Sequence, residues 1–340
     1  MRAFLQNRSS RRTLIASIPM AGLVAAGWRP LGALSRQATP AAGYPVEIEH
    51  MFGVTEVPAE PARVMTIGYS EQDPVLALGV EPVAVREWFG GKPFAVWPWA
   101  EEARGDAEPV VLEMPYGELD YEQVLGLAPG LIVATHAGIT QEEYERLAEI
   151  APTIAQSGSY PVFGMPWEEQ TRTIGVALGR APQAEELVAD VERQISRAAE
   201  AHPEFEGVSI AWINPTGDGS YWLVGGTTPP MRFIGQLGFR MPEALLDVVG
   251  DLESAQLSAE QLHLADTDVL ITRVASEGEE AALLEDPIFS QLQVVQDDRA
   301  IVFTGPDDPT YASLSFSTVL SLPFALEQLT PMLEESVSRL

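Results

Sequence analysis

The residues of this 340-residue chain best suited to hold a ligand are aromatic rings and guanidinium groups, and they recur where short apolar runs end. Tyr69 follows the run from Arg63 to Ile67, Arg86 and Trp88 follow Val83 to Val85, and His136 follows Leu131 to Ala134. Trp97 and Trp99 lie in a long loop rich in Gly, Pro and Trp, from Arg86 to Glu102. In the second half, Trp222 sits within Tyr221 to Val224, and Arg232 opens a helical stretch after the loop from Gly225 to Pro230. Arg273 follows Val269 to Thr272, and Tyr311 lies one loop beyond Phe303. Open α/β sheets bind ligands outside the carboxyl ends of their strands, and that rule selects most of these positions. Aromatic walls with a few Arg suit a large, partly apolar, oxygen-rich molecule. The rings hold its organic frame by stacking and cation–π contact, and guanidinium forks take its oxygens. Taken singly, each ring serves as readily for packing and each Arg for a surface ion pair, and His136 is more often structural than a metal ligand.

Other chemistry finds little support. His50, His136, His202 and His263 are scattered, whereas capture of a bare transition metal needs clustered His and carboxylates, so a metal would arrive already chelated. No metal or organic cofactor of the chain's own is expected. The turn Gly68-Tyr69-Ser70-Glu71 lacks the glycine spacing that cradles a pyrophosphate, and neither a Gly-x-Ser-x-Gly nor a His-Glu-x-x-His motif occurs. Cysteine is absent, which removes disulfides, thiolate metal sites, Cys nucleophiles and a lipid-modified N-terminal Cys together.

Charge narrows the partners. The chain carries 49 acidic and 20 basic residues, and Lys92 is its only Lys. A net charge of −29 repels nucleic acid and anionic lipid surfaces at long range. Arg2, Arg8, Arg11, Arg12, Arg29 and Arg36 all precede the first acidic residue, Glu47. Within that stretch Ser10-Arg11-Arg12-Thr13-Leu14-Ile15 resembles a twin-arginine export signal, and an apolar run to Gly27 and a small-residue stretch to Gly43 follow. Residues 1–42 are therefore expected to be a cleavable export segment that delivers a periplasmic or secreted protein. Beyond residue 45 no apolar run approaches the ~18 residues of a membrane span.

The elements that would position the ring and guanidinium groups alternate. Val46 to His50 and Gly53 to Val57 read as a hairpin, and strand-like runs then alternate with helical stretches up to Thr153-Ile154. That spacing predicts a parallel sheet covered on both faces. From Trp167 to Ala201 the pattern is helical, with a break at Gly179 and Leu187, Val188, Val191 and Ile195 at three- and four-residue spacing. Alternation then resumes: strands at Val208 to Ile213, Tyr221 to Val224, Val269 to Thr272 and Ala300 to Phe303, a short helix from Leu257 to Leu262, and a final helix from Ala312 to Leu329. The division is an N-terminal α/β lobe over 45–166, a helical segment over 167–202 and a second α/β lobe over 203–340.

Four passages stand in order along the chain: Pro61-Ala62-Arg63-Val64 with Leu76-Ala77-Leu78-Gly79-Val80, Tyr121-Glu122-Gln123-Val124 running to Pro129-Gly130-Leu131-Ile132, Ile150-Ala151-Pro152-Thr153 with Ala177-Leu178-Gly179, and Leu257-Ser258-Ala259-Glu260-Gln261-Leu262 with Asp266 to Leu270. Together they resemble the periplasmic binding proteins for iron-siderophore and cobalamin import. Gly130 stands where the family usually has Asp. The resemblance implies two Rossmann-like lobes joined by one long interdomain helix, with a small hinge movement on ligand closure. It also implies a monomeric, non-enzymatic carrier that hands a ferric siderophore to an ABC transporter permease, with Glu122 and Glu260 docking on that permease. Cobalamin or haem is the alternative cargo within the family, and a two-lobed chelatase-like enzyme is the rival outside it. The acidic balance favours a neutral or cationic chelate such as a hydroxamate over a trianionic catecholate.

Overall fold

The continuous apolar runs read as buried strands do so because both faces of each are covered. The structure, a computed structural model, describes residues 43–305 and 307–340; the export segment expected over 1–42 lies outside them. The hairpin forms as expected, from β1 (Val46–His50) and β2 (Gly53–Val57). The first lobe then alternates β3 (Val64–Thr66), α1 (Gln72–Ala77), β4 (Pro82–Arg86), α2 (Glu101–Arg104) and β5 (Val110–Leu112). It continues through α3 (Tyr121–Gly126), β6 (Leu131–Ala134), α4 (Gln141–Ala148) and β7 (Thr153–Ala155). The sheet order is β5-β4-β3-β6-β7, parallel throughout. Along β6, Leu131 and Val133 enter one apolar cluster while Ile132 and Ala134 enter the other. Period-two alternation with both faces buried leaves no room for a polar residue in that run.

Two helices follow, α5 (Trp167–Ala177) and α6 (Ala181–Ala201). The 21 residues of α6 span about 32 Å at ~1.5 Å per residue. Its apolar stripe is shared: Ala184 packs in the first lobe's core, Val188, Val191 and Ile195 pack in the second's, and Leu187 touches both. This helix is the spine between the lobes.

The second lobe holds β8 (Ile210–Pro215), β9 (Tyr221–Val224), α7 (Pro229–Gln236), α8 (Glu243–Val249), β10 (Ser254–Leu257) and β11 (Val269–Val274). After these come α9 (Glu277–Leu284), α10 (Gln293–Gln296), β12 (Ala300–Thr304), α11 (Pro309–Phe316) and α12 (Ser321–Val337). Its sheet runs β10-β9-β8-β11-β12, with β8, β11 and β12 parallel and β9 antiparallel to both its neighbours. The loop from β8 to β9 is too short for a crossover, so these strands form a hairpin.

Two sequence expectations are corrected here. Leu257 ends strand β10, opposite Tyr221, and does not begin a helix; the 3₁₀ turn Ala259–Ala265 starts after the Ser258 cap. The expected single C-terminal helix is two, because Ser317 takes a left-handed conformation with φ 44°. There Thr318 and Ser321 cap each other, each side-chain oxygen accepting from the other's main-chain N–H at 3.0 and 2.8 Å.

A second connection between the lobes comes from the loop after β4. Trp88, Phe89, Trp97 and Trp99 all contact the ring of Phe316 at the end of α11, with centroids 5.1 to 6.1 Å away. Trp97 and Trp99 stack at 5.3 Å with planes 5° apart. A spine helix and an aromatic clasp thus both connect the lobes.

Candidate functional site

Each strand of the first sheet delivers one ring to a common cavity from the loop beyond its carboxyl end. Tyr69 follows β3, Trp88 follows β4, Tyr116 follows β5, His136 follows β6 and Phe163 follows β7. The rings touch in series: Tyr69 stacks on Trp88 at 5.6 Å, and Phe163 lies 5.1 Å from His136 and 5.9 Å from Tyr116. Parallel strands end on the same side, which gathers these loops into one wall.

The facing wall is built differently. Trp212 and Asn214 of β8 and Trp222 and Val224 of β9 alternate so that each pair shares a face, and that face lines the cavity. Thr228, Pro229 and Pro230 at the start of α7, Glu253 and Ser254 at β10, and Tyr311 and Ser315 of α11 complete it. The cavity volume is about 520 Å³. That falls in the range of small-molecule sites, which run from ~300 to 1,000 Å³.

Five of the residues singled out in the sequence therefore line the cavity: Tyr69, Trp88, His136, Trp222 and Tyr311. The others lie elsewhere. Arg86 is buried behind Tyr69, its guanidinium carbon 4.5 Å from that ring, and every nitrogen donates to a main-chain carbonyl: Nε to Met114, Nη1 to Ile67 and Nη2 to Pro115, at 2.6 to 3.1 Å. Arg273 is placed likewise in the second lobe, 4.8 Å over the Tyr311 ring with Nε donating to the Gly305 carbonyl. Each lobe thus braces one cavity tyrosine with an arginine, and neither guanidinium forms part of the lining. Arg232 donates to the carbonyls of Thr227 and Gly164, tying α7 to the segment before α5. Trp97 is buried in the interlobe clasp, and Trp99 donates from Nε1 to Asp73 at 2.8 Å.

Beneath the cavity floor lies a buried acid. The Glu71 carboxylate accepts from the main-chain N–H groups of His136 at 2.6 Å and Ser70 at 3.2 Å. Burial outweighs those bonds and pushes its carboxyl up to about 7. A side chain at Gly68 would collide with this carboxylate, its Cβ falling 1.9 Å from Oε1. Glycine at that turn is therefore a requirement of Glu71. Burial also lowers the His136 imidazole to about 4, so the ring is neutral near pH 7.

Sequence reasoning missed Tyr116, Phe163, Trp212, Asn214, Glu253 and Ser315. Tyr116 and Phe163 lie several residues beyond their strands, but the strand-end rule that found Tyr69 applies to them too. Among the described residues one set of metal-ligating side chains converges: His202 Nδ1 lies 3.0 Å from Glu204 and 3.3 Å from Glu334, at the far end of α6 and outside the cavity.

Glu122 and Glu260 occupy matching places in the two lobes. Each is exposed and is the second residue of a helical turn, after the caps Asp120 and Ser258 respectively, and each is followed by Gln.

A lobed α/β molecule with a cavity at the strand ends and a helical spine defines a solute-binding architecture. Residues 66–308 match the periplasmic binding protein family, and the chain belongs to it. A periplasmic solute binding protein of Mycobacterium smegmatis is 34% identical, with 86% of this chain and 98% of that one aligned at a TM-score of 0.75. PiaA of Streptococcus pneumoniae TIGR4, solved in complex with ferrichrome, is 26% identical over 86% of this chain and 99% of its own, with a TM-score of 0.74. In Bacillus subtilis strain 168, a protein described as a probable siderophore-binding lipoprotein, YfiY, is 24% identical over 204 residues. That match spans 59% of this chain and 59% of YfiY's length.

Proposed function

We propose that this chain is an extracytoplasmic binding protein that captures a ferric siderophore between its lobes and delivers it to an ABC importer. The aromatic cavity carries the reading. Rings from all five strand ends of one lobe face three more rings of the other across about 520 Å³, which suits a bulky, partly apolar chelate. The ferrichrome complex of PiaA and the description of YfiY support that choice of cargo. On this reading iron enters only inside the chelate, the chain works as a monomer without turnover, and Glu122 and Glu260 dock on the permease, one from each lobe. The twin-arginine-type segment would export the protein without a lipid anchor. Tryptophan quenching tests the cargo, because Trp88, Trp212 and Trp222 all line the cavity. A ferric trihydroxamate should quench saturably, while cobalamin and haem should not. Saturable quenching by cobalamin or haem with none by the hydroxamate would replace the reading.

A further inference from the structure

The cavity lining contains no Arg or Lys among the described residues, and its single acidic side chain is Glu253. This carboxylate stands at a partition. A side chamber of about 400 Å³ adjoins the main cavity and shares Phe163, Thr228 and Glu253 with it, and Asp251 adds a second acid to its wall. Arg232 also lines the side chamber, but its guanidinium is tied to the carbonyls of Thr227 and Gly164. The groups that draw on its charge are Glu168, outside both chambers, and the Tyr160 phenol on the side-chamber wall. Glu253 is exposed at the cavity mouth, partial desolvation moves its carboxyl upward from the usual range, and no salt bridge to it forms among the described residues. The main chain fixes its place. Gly225 N–H donates to the Glu253 carbonyl at 2.8 Å, and a Cβ at Gly225 would fall 2.2 Å from the Leu252 oxygen, so only glycine permits this approach.

We infer that Glu253 is a charge-selecting residue, which favours chelates carrying a pendent cationic group, an alkylammonium, over neutral or anionic ones. The inference rests on the siderophore reading above and names the class of siderophore. An uncompensated carboxylate beside aromatic faces is the arrangement that binds an organic cation, through charge and ring quadrupole together. The side chamber gives the pendent arm a recess while the main cavity holds the chelated iron and its ligand frame. An anionic chelate entering the main cavity would meet Glu253 with no guanidinium in that lining to offset it.

The test compares two probes that differ only at that arm: a linear ferric trihydroxamate ending in a primary ammonium, and the same chelate N-acetylated. Fluorescence titration of the wild-type chain should show the ammonium form binding about tenfold more tightly, with the margin shrinking as salt is added. Glu253→Gln should bring the two affinities within about twofold of each other, and Glu253→Asp should keep most of the preference. Equal affinities in the wild-type chain, or a Glu253→Gln variant that keeps the tenfold margin, would overturn the inference while leaving siderophore binding intact. The wild-type comparison stands without any variant. Failure of both probes to bind would remove the siderophore reading, and the selection with it.

Discussion

The carboxylate of Asp73, in α1 of the first lobe, accepts a hydrogen bond at 2.5 Å from the hydroxyl of Thr318, 245 residues further on in the second lobe. Its Oδ2 also accepts from Trp99 Nε1, so one buried acid joins the two lobes and the aromatic clasp. Thr318→Val removes one of those two donors from a buried carboxylate, and the acceptor of the Ser321 N–H with it, without changing side-chain shape. The expected loss is about 1 to 3 kcal/mol of unfolding free energy, read from the midpoint of a urea titration.

Two buried acids give stability a defined pH slope. Burial raises Glu71 to about 7 and Asp73 to about 6, above their ordinary values of 4.5 and 3.8. The folded state therefore holds protons that the unfolded chain has released. Their contribution is fully present below about pH 4 and is lost as pH rises through about 6 and 7, on the order of 3 kcal/mol for each group. His136 has the opposite sign. Its imidazole is lowered to about 4, so its contribution is present above about pH 6.5 and is lost as pH falls through about 4. Glu71→Gln combined with Asp73→Asn should flatten the fall in stability between pH 5 and 7 relative to wild type, measured by urea unfolding at each pH. An unchanged slope would show that these acids are not titrating in the folded state.

Arg86 supports the site from behind. Its three nitrogens satisfy three carbonyls, of Ile67, Met114 and Pro115, at the ends of neighbouring strands. Arg86→Ala takes the guanidinium donor from the Ile67 and Met114 carbonyls and leaves Tyr69 unbraced, while Pro115 keeps the Glu118 N–H. Unfolding free energy should drop by about 3 kcal/mol or more, as measured by urea titration.

Glu122→Ala combined with Glu260→Ala removes two exposed carboxylates that touch neither the cavity nor the cores. Ligand affinity should stay at its wild-type value, while uptake of radio-iron by cells that carry the cognate permease should fall to background. Retained uptake would end the docking assignment.

The strands were legible because burial on both faces forces continuous apolar runs such as Leu131 to Ala134, and the spine because Leu187, Val188, Val191 and Ile195 keep a helical stripe. The antiparallel hairpin of the second lobe was not legible, since Tyr221 to Val224 reads alike in either direction, and Trp212 and Glu253 went unnoticed with it. Strand-end position brought out Tyr69, Trp88 and His136. It did not show that Arg86 turns its guanidinium to the neighbouring carbonyls and away from the cleft, because an unpaired carbonyl at a strand end leaves no mark in sequence. Nor did the Trp-rich loop show its use: Trp97 and Trp99 close on Phe316, a contact across more than 200 residues.

Native mass spectrometry of the chain with a panel of ferric siderophores, cobalamin and haem, repeated on Tyr69→Ala and Trp222→Ala, tests most directly whether the interlobe cavity is a siderophore site. One ferric trihydroxamate per wild-type chain is the expected result, with occupancy reduced in both variants by the equivalent of about 1 to 3 kcal/mol. A bound chelate whose occupancy ignores both substitutions, or a panel from which no siderophore is retained, would contradict the account.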